Sequence, residues 1–152
     1  MQQRTLEELV IEFRRAIQSL VDEGFWFGIC INDGFPRGAC DDSSMLLAAY
    51  LTDNGFPGAL RISGVKGSWA TDDFESHIWL ELNGRLIDIT GSQFKDYDQP
   101  EILIAESDKF LETFTIDKEP RLADYRLQQP SLGNRSYFTD SYKAICERIG
   151  TR

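Results

Sequence analysis

Ser76-His77-Ile78-Trp79-Leu80-Glu81-Leu82-Asn83-Gly84-Arg85-Leu86-Ile87-Asp88-Ile89-Thr90 decides how this chain folds. Before Asn83, His77, Trp79 and Glu81 fall on one side and Ile78, Leu80 and Leu82 on the other, the period of two that marks a half-buried strand. Asn-Gly is the residue pair that a two-residue hairpin turn favours, because both positions need a left-handed backbone. The pattern predicts an antiparallel hairpin with strands over residues 74–82 and 85–89. If Asn83 and Gly84 form the loop, residue 77 faces residue 90 and residue 88 faces residue 79. His77 and Asp88 are then diagonal neighbours on one face, about 7–8 Å apart at the backbone and within side-chain reach of each other.

Upstream of the hairpin the signals are helical. Thr5 and Glu8 have the spacing of a capping box, and Leu6, Leu9, Val10, Phe13, Ile17, Leu20 and Val21 recur at helical intervals, so a helix is expected over residues 5–22. Pro36 and Gly38 mark a turn. A second helix then opens at Cys40 and runs to about Thr52, where Asn54-Gly55 supplies residues that tolerate a left-handed exit. Residues 60–65 read as a strand. Further on, residues 102–105 suggest a strand, 107–114 a short helix and 139–149 a final helix, while the polar stretch 115–130 is ambiguous. Helices come first and antiparallel pieces follow, with no βαβ alternation. The expected class is α+β, in one domain over residues 1–152.

Composition narrows the function. The 152 residues carry a formal charge of −9 and 41% are hydrophobic. An acidic chain without a basic stripe does not suit nucleic acid. No apolar run is long enough to span a bilayer, and Met1 to Glu7 contains no apolar leader segment. A cytoplasmic location without membrane partners is expected. The three cysteines, Cys30, Cys40 and Cys146, form no CxxC pair and are joined by a single histidine. A structural zinc site needs about four clustered ligands, so neither a metal nor another cofactor is expected. Cys30, in an apolar run, and Cys146, on the apolar face of the last helix, read as buried packing residues.

Cys40 is different, because it opens a helix. A thiol attacks acyl carbon as the thiolate, which a helix N-terminus and a nearby imidazolium both favour. Asp41 and Asp42 oppose that effect, and the direction of their side chains decides the balance. His77 and Asp88 supply a base and the group that orients it. The backbone N–H of Cys40 is one oxyanion donor. For a second donor or a substrate contact the sequence offers Asn32, Trp26 and Gln93, of which Gln93 suits a structural role equally well. Trp69, in the Gly67-Ser68-Trp69 loop, fits a cleft wall as readily as an exposed packing position.

Residues 34–94 resemble the transglutaminase-like superfamily, on the strength of a helix-opening Cys40, the His77-Ile78-Trp79 strand and the Asp88-Ile89-Thr90 strand. The run Asp88 to Phe94 is similar to that of small bacterial members. The resemblance implies a papain-like fold, with N-terminal helices and the nucleophile helix packed on an antiparallel sheet. It also implies Cys40 as nucleophile, His77 as base and Asp88 as orienting group. The expected activity is cysteine-dependent amide or acyl transfer through an acyl-thioester, acting on a peptide, protein or small amide. Water as acceptor makes the chain a peptidase, amidase or deamidase, and is preferred because no acyl-carrier or nucleotide motif is present. An amine acceptor makes it a transglutaminase- or N-acetyltransferase-like enzyme. A binding protein on the same fold and a thiol redox sensor are the remaining readings. Oligomeric state is not legible.

Overall fold

The computed structural model describes residues 4–128 and 135–150. Helix α1 (Leu6–Asp22) starts at the expected capping box: the Thr5 hydroxyl accepts from the Glu8 N–H at 3.1 Å, and the Glu8 carboxylate accepts from the Thr5 N–H at 2.9 Å. Its Leu9, Val10, Phe13 and Ile17 are fully buried. Helix α2 (Cys40–Asp53) buries every residue from Ser43 to Leu51, so it is the central helix rather than an amphipathic surface one. It ends at Asn54, and Gly55 leaves with a φ of 93°. Helix α3 (Arg135–Gly150) packs on α1 and begins one turn earlier than the apolar spacing suggests.

Among the described residues six strands form one antiparallel sheet: β1 (Leu60–Lys66), β2 (Glu75–Leu82), β3 (Arg85–Asp88), β4 (Leu103–Ala105), β5 (Thr115–Ile116) and β6 (Arg121–Leu122). The order is β4-β3-β2-β1, with β5 and β6 both pairing the outer edge of β1. The β2–β3 turn has positive φ at Asn83 and Gly84, and Leu80 pairs with Ile87 and Glu81 with Leu86, the register that the hairpin spacing predicts. The mixture of helices and antiparallel sheet is α+β.

Three local readings need adjustment. The helix expected over 107–114 is a single 3₁₀ turn, Leu111–Thr113, followed at once by β5. The ambiguous stretch 115–130 contains β5, β6 and a 3₁₀ turn at Tyr125–Leu127; strands of two residues are too short to show a period, and residues 129–130 lie outside the described residues. Cys30 is exposed rather than buried, whereas Cys146 is half-buried and packs against the main core as expected. In the segment around Cys30, Phe27 and Ile31 take the buried positions. Gly28 bends the chain at φ 73°, with the Tyr137 ring where a β-carbon would stand, and Cys30 is left at the surface.

The sheet separates two apolar clusters. Leu80, Leu82 and Ile87 join α1, α2 and α3 in the main core, while Ile62, Trp79, Phe110, Leu111 and Phe114 form a smaller cluster that includes the opposite face of β2. No helix among the described residues is long and apolar enough to cross a membrane.

Gly64 faces His77 across β1–β2. A β-carbon there would stand 2.7 Å from the Phe114 Cβ and 3.0 Å from the Trp79 ring. Gly64→Ala should therefore lower stability by about 1–3 kcal/mol through overpacking. Gly150→Ala, with nothing within 4 Å, should change it by less than about 0.5 kcal/mol. Urea unfolding of the two variants checks the difference.

Candidate functional site

His77 is completely buried, and its Nε2 lies 2.8 Å from Asp88 Oδ2. The two oxygens of Asp88 divide their work. Oδ2 meets the imidazole, while Oδ1 accepts from the Thr90 backbone N–H at 3.0 Å and from the Thr90 hydroxyl at 3.4 Å. Asp88 is thus both a turn-closing residue and the partner of His77. Gly91 lets the chain pass this close, since a β-carbon there would stand 2.9 Å from Asp88 Oδ2. Rings enclose the imidazole: Phe94 edge-on at 4.9 Å, Trp79 at 5.7 Å and Phe114 at 5.9 Å between centroids. Trp79 is buried, and its ring covers the imidazole.

His77 Nδ1 is buried without a hydrogen-bond partner. With Nε2 committed to Asp88, this nitrogen is the one left for Cys40. Burial works against a charged ring, but the Asp88 bond and then the Cys40 sulfur outweigh it and raise the His77 pKa to about 9. Cys40 is the first residue of α2 and is half-buried. Its N–H belongs to the first turn, where no intrahelical acceptor exists.

The acidic pair beside the thiol is committed elsewhere. Arg61 clasps Asp41 through two bonds, Nε to Oδ1 at 2.9 Å and a terminal nitrogen to Oδ2 at 3.1 Å. Asp42 Oδ2 accepts from the Cys30 backbone N–H at 2.8 Å. The Asp42 charge pushes the Cys30 thiol pKa up, and burial does the same to Cys146.

The other four sequence candidates are scattered. Asn32 is exposed, and its Oδ1 accepts from the Gly34 N–H at 2.8 Å, closing its own turn. Trp26 is 72% exposed and edge-on to Tyr137; Trp69 is 79% exposed and stacked on Phe74 at 4.4 Å. Among the described residues no ring contact or hydrogen bond joins these three to Cys40, His77 or Asp88. Gln93 differs: its Nε2 is buried without a partner, next in sequence to the Phe94 that touches His77. No group of three or more His, Cys, Asp or Glu side chains among the described residues is arranged to hold a metal ion.

Arg14 was not anticipated. It is buried, donates from Nε to the Ile89 carbonyl at 2.8 Å, pairs with Glu101 at 3.2 Å and lies over the Phe35 ring at 5.0 Å. Burial lowers its pKa, while the charges of Glu101 and Asp88 raise it. It therefore holds the chain one residue past Asp88 and adds a positive charge behind that carboxylate. The signal was present in α1: Arg14 fills a slot of the apolar stripe set by Val10, Phe13 and Ile17, where a charged residue needs a buried partner.

The His77 pKa gives a prediction with a definite sign. The folded value lies above the ordinary value of about 6.5, so the pair's stabilisation is complete below about pH 6.5 and is lost as pH rises through 9. Imidazole resonances of the single histidine should titrate near pH 9. In Asp88→Asn the midpoint should fall by more than about one unit, because burial is then opposed by less charge. No family model, no curated protein and no solved structure matches this chain.

Proposed function

We propose that this protein is a cysteine enzyme of transglutaminase-like, papain-like type that cleaves an amide through an acyl-thioester. The observation that carries the reading is the fixed imidazole: Nε2 is held by Asp88 at 2.8 Å, and Nδ1 is buried without a hydrogen-bond partner. A raised His77 pKa means that the ring carries its proton at neutral pH and can serve as the acid. The Cys40 sulfur attacks the carbonyl carbon, and the developing oxyanion meets the Cys40 N–H at the start of α2. His77 Nδ1 gives its proton to the departing amine as the C–N bond breaks. Water then attacks the thioester, His77 takes one of its protons, and the acid leaves as the sulfur regains its pair of electrons. Asp88 holds the ring orientation throughout.

Hydrolysis is preferred over transfer to an amine, which would use the same thioester. The buried free amide of Gln93 makes it the better of the side-chain oxyanion candidates, since the Asn32 oxygen is committed to its own turn and Trp26 stands in solvent.

Alkylation tests the thiol directly. Near neutral pH, iodoacetamide should modify Cys40 at least about tenfold faster than Cys30 or Cys146, whose thiols are held protonated, and His77→Ala should erase most of that advantage. In a screen of peptide and amide substrates, Cys40→Ala should abolish turnover and Asp88→Asn should lower kcat by roughly 10²-fold or more. Equal labelling of the three cysteines would reduce the chain to a binding protein. Labelling indifferent to Asp88 together with reversible sulfenate at Cys40 would favour a redox sensor.

A further inference from the structure

We propose that a groove on the second face of the sheet binds a basic, partly apolar peptide segment beside His77. The main face is covered by helices. The second cluster, by contrast, is closed by the largely irregular chain around Phe94, Phe110 and Phe114. A cavity of about 390 Å³ remains open there. Its floor includes Ile62, Trp79, Leu111 and Phe114, and exposed Ile116 extends one wall. Trp79 and Phe114 are the same rings that flank the imidazole, so a ligand on this floor is one ring away from His77.

The rim is acidic. Glu81, Glu106 and Glu112 line the groove with Asp108, and no Lys or Arg does so. Asp108 is occupied by the Leu111 N–H and by Gln99. Glu81, Glu106 and Glu112 have no ion-pair partner among the described residues. The nearby Lys66 ammonium does not line the groove; the rings of Tyr97, Phe110 and Phe114 enclose it, and it faces Glu75 at 3.8 Å. An apolar floor with unpaired carboxylates around it complements a chain that alternates apolar and cationic side chains. The volume lies within the ~300–1,000 Å³ of small-ligand sites, so it takes a few residues of an extended peptide rather than a folded domain. As a substrate subsite this groove rests on the enzymatic reading above; as a binding site it does not.

The test uses the full-length Cys40→Ala protein, so that turnover plays no part, and fluorescence polarisation of labelled peptides. A Lys-Leu-Lys-Leu-Lys peptide should bind at least tenfold more tightly than Glu-Leu-Glu-Leu-Glu or Lys-Ser-Lys-Ser-Lys, and binding should weaken as salt rises. The double substitution Glu106→Lys, Glu112→Lys, at two exposed positions, should weaken it at least tenfold while circular dichroism stays unchanged. Glu147→Lys, on exposed α3 surface, should leave it unaltered. Equal affinity for the Lys-Ser peptide, indifference to the double substitution, or no binding of Lys-Leu-Lys-Leu-Lys would overturn the proposal. A protein that binds this peptide but shows no reactive Cys40 keeps the groove and loses the enzyme; the converse loses the groove alone.

Discussion

The arrangement depends on one bond, His77 Nε2 to Asp88 Oδ2, made at 2.8 Å with both side chains out of contact with water. A buried carboxylate or imidazolium alone would cost several kcal/mol, and each is tolerable here because it faces the other. The bond also needs space that neighbouring positions must leave open. Gly91 gives the carboxylate room, and Gly64 lets Phe114 and Trp79 close over the imidazole. Removing either partner would leave an unmatched buried polar group, so the pair specifies local structure.

Around that bond the charges are sorted by partner. Asp41 and Asp42 would oppose a thiolate at Cys40 if they faced it. Instead Arg61 reaches from β1 to hold one, and the Cys30 N–H holds the other. Arg14 anchors the chain beyond Asp88 and contributes positive charge behind the carboxylate. These contacts tie α1 to the chain beyond β3, and α2 to β1 and to the Cys30 segment.

Much of this was legible in the residues, and the reasons are local. The Thr5–Glu8 cap, the Asn83-Gly84 turn and the two-residue period of β2 are short-range signals, and the β2–β3 register follows from the turn alone. The His77–Asp88 contact inherits that register. What was not legible depends on distant partners. β5 and β6 exist because β1 has a free edge, not because their own residues show a pattern. Cys30 looked buried because its neighbours are apolar, but a glycine with positive φ redirected the segment. The ion pair of Asp41 with Arg61, 20 residues away in sequence, could not be read from either residue. Trp26 and Trp69 are aromatics near the motifs in sequence, and both stand in solvent on other partners.

The proposed role of Cys40, a nucleophile driven by His77 and Asp88, has a direct chemical readout. Rapid-quench acylation with p-nitrophenyl acetate, followed by peptide mapping, measures it most directly. A nucleophilic Cys40 gives a burst of p-nitrophenolate approaching one equivalent, an acetyl group on Cys40, and loss of the burst in His77→Ala while the variant stays folded. Absence of a burst, or acetyl groups on Cys30 and surface lysines with Cys40 unmodified, would contradict it.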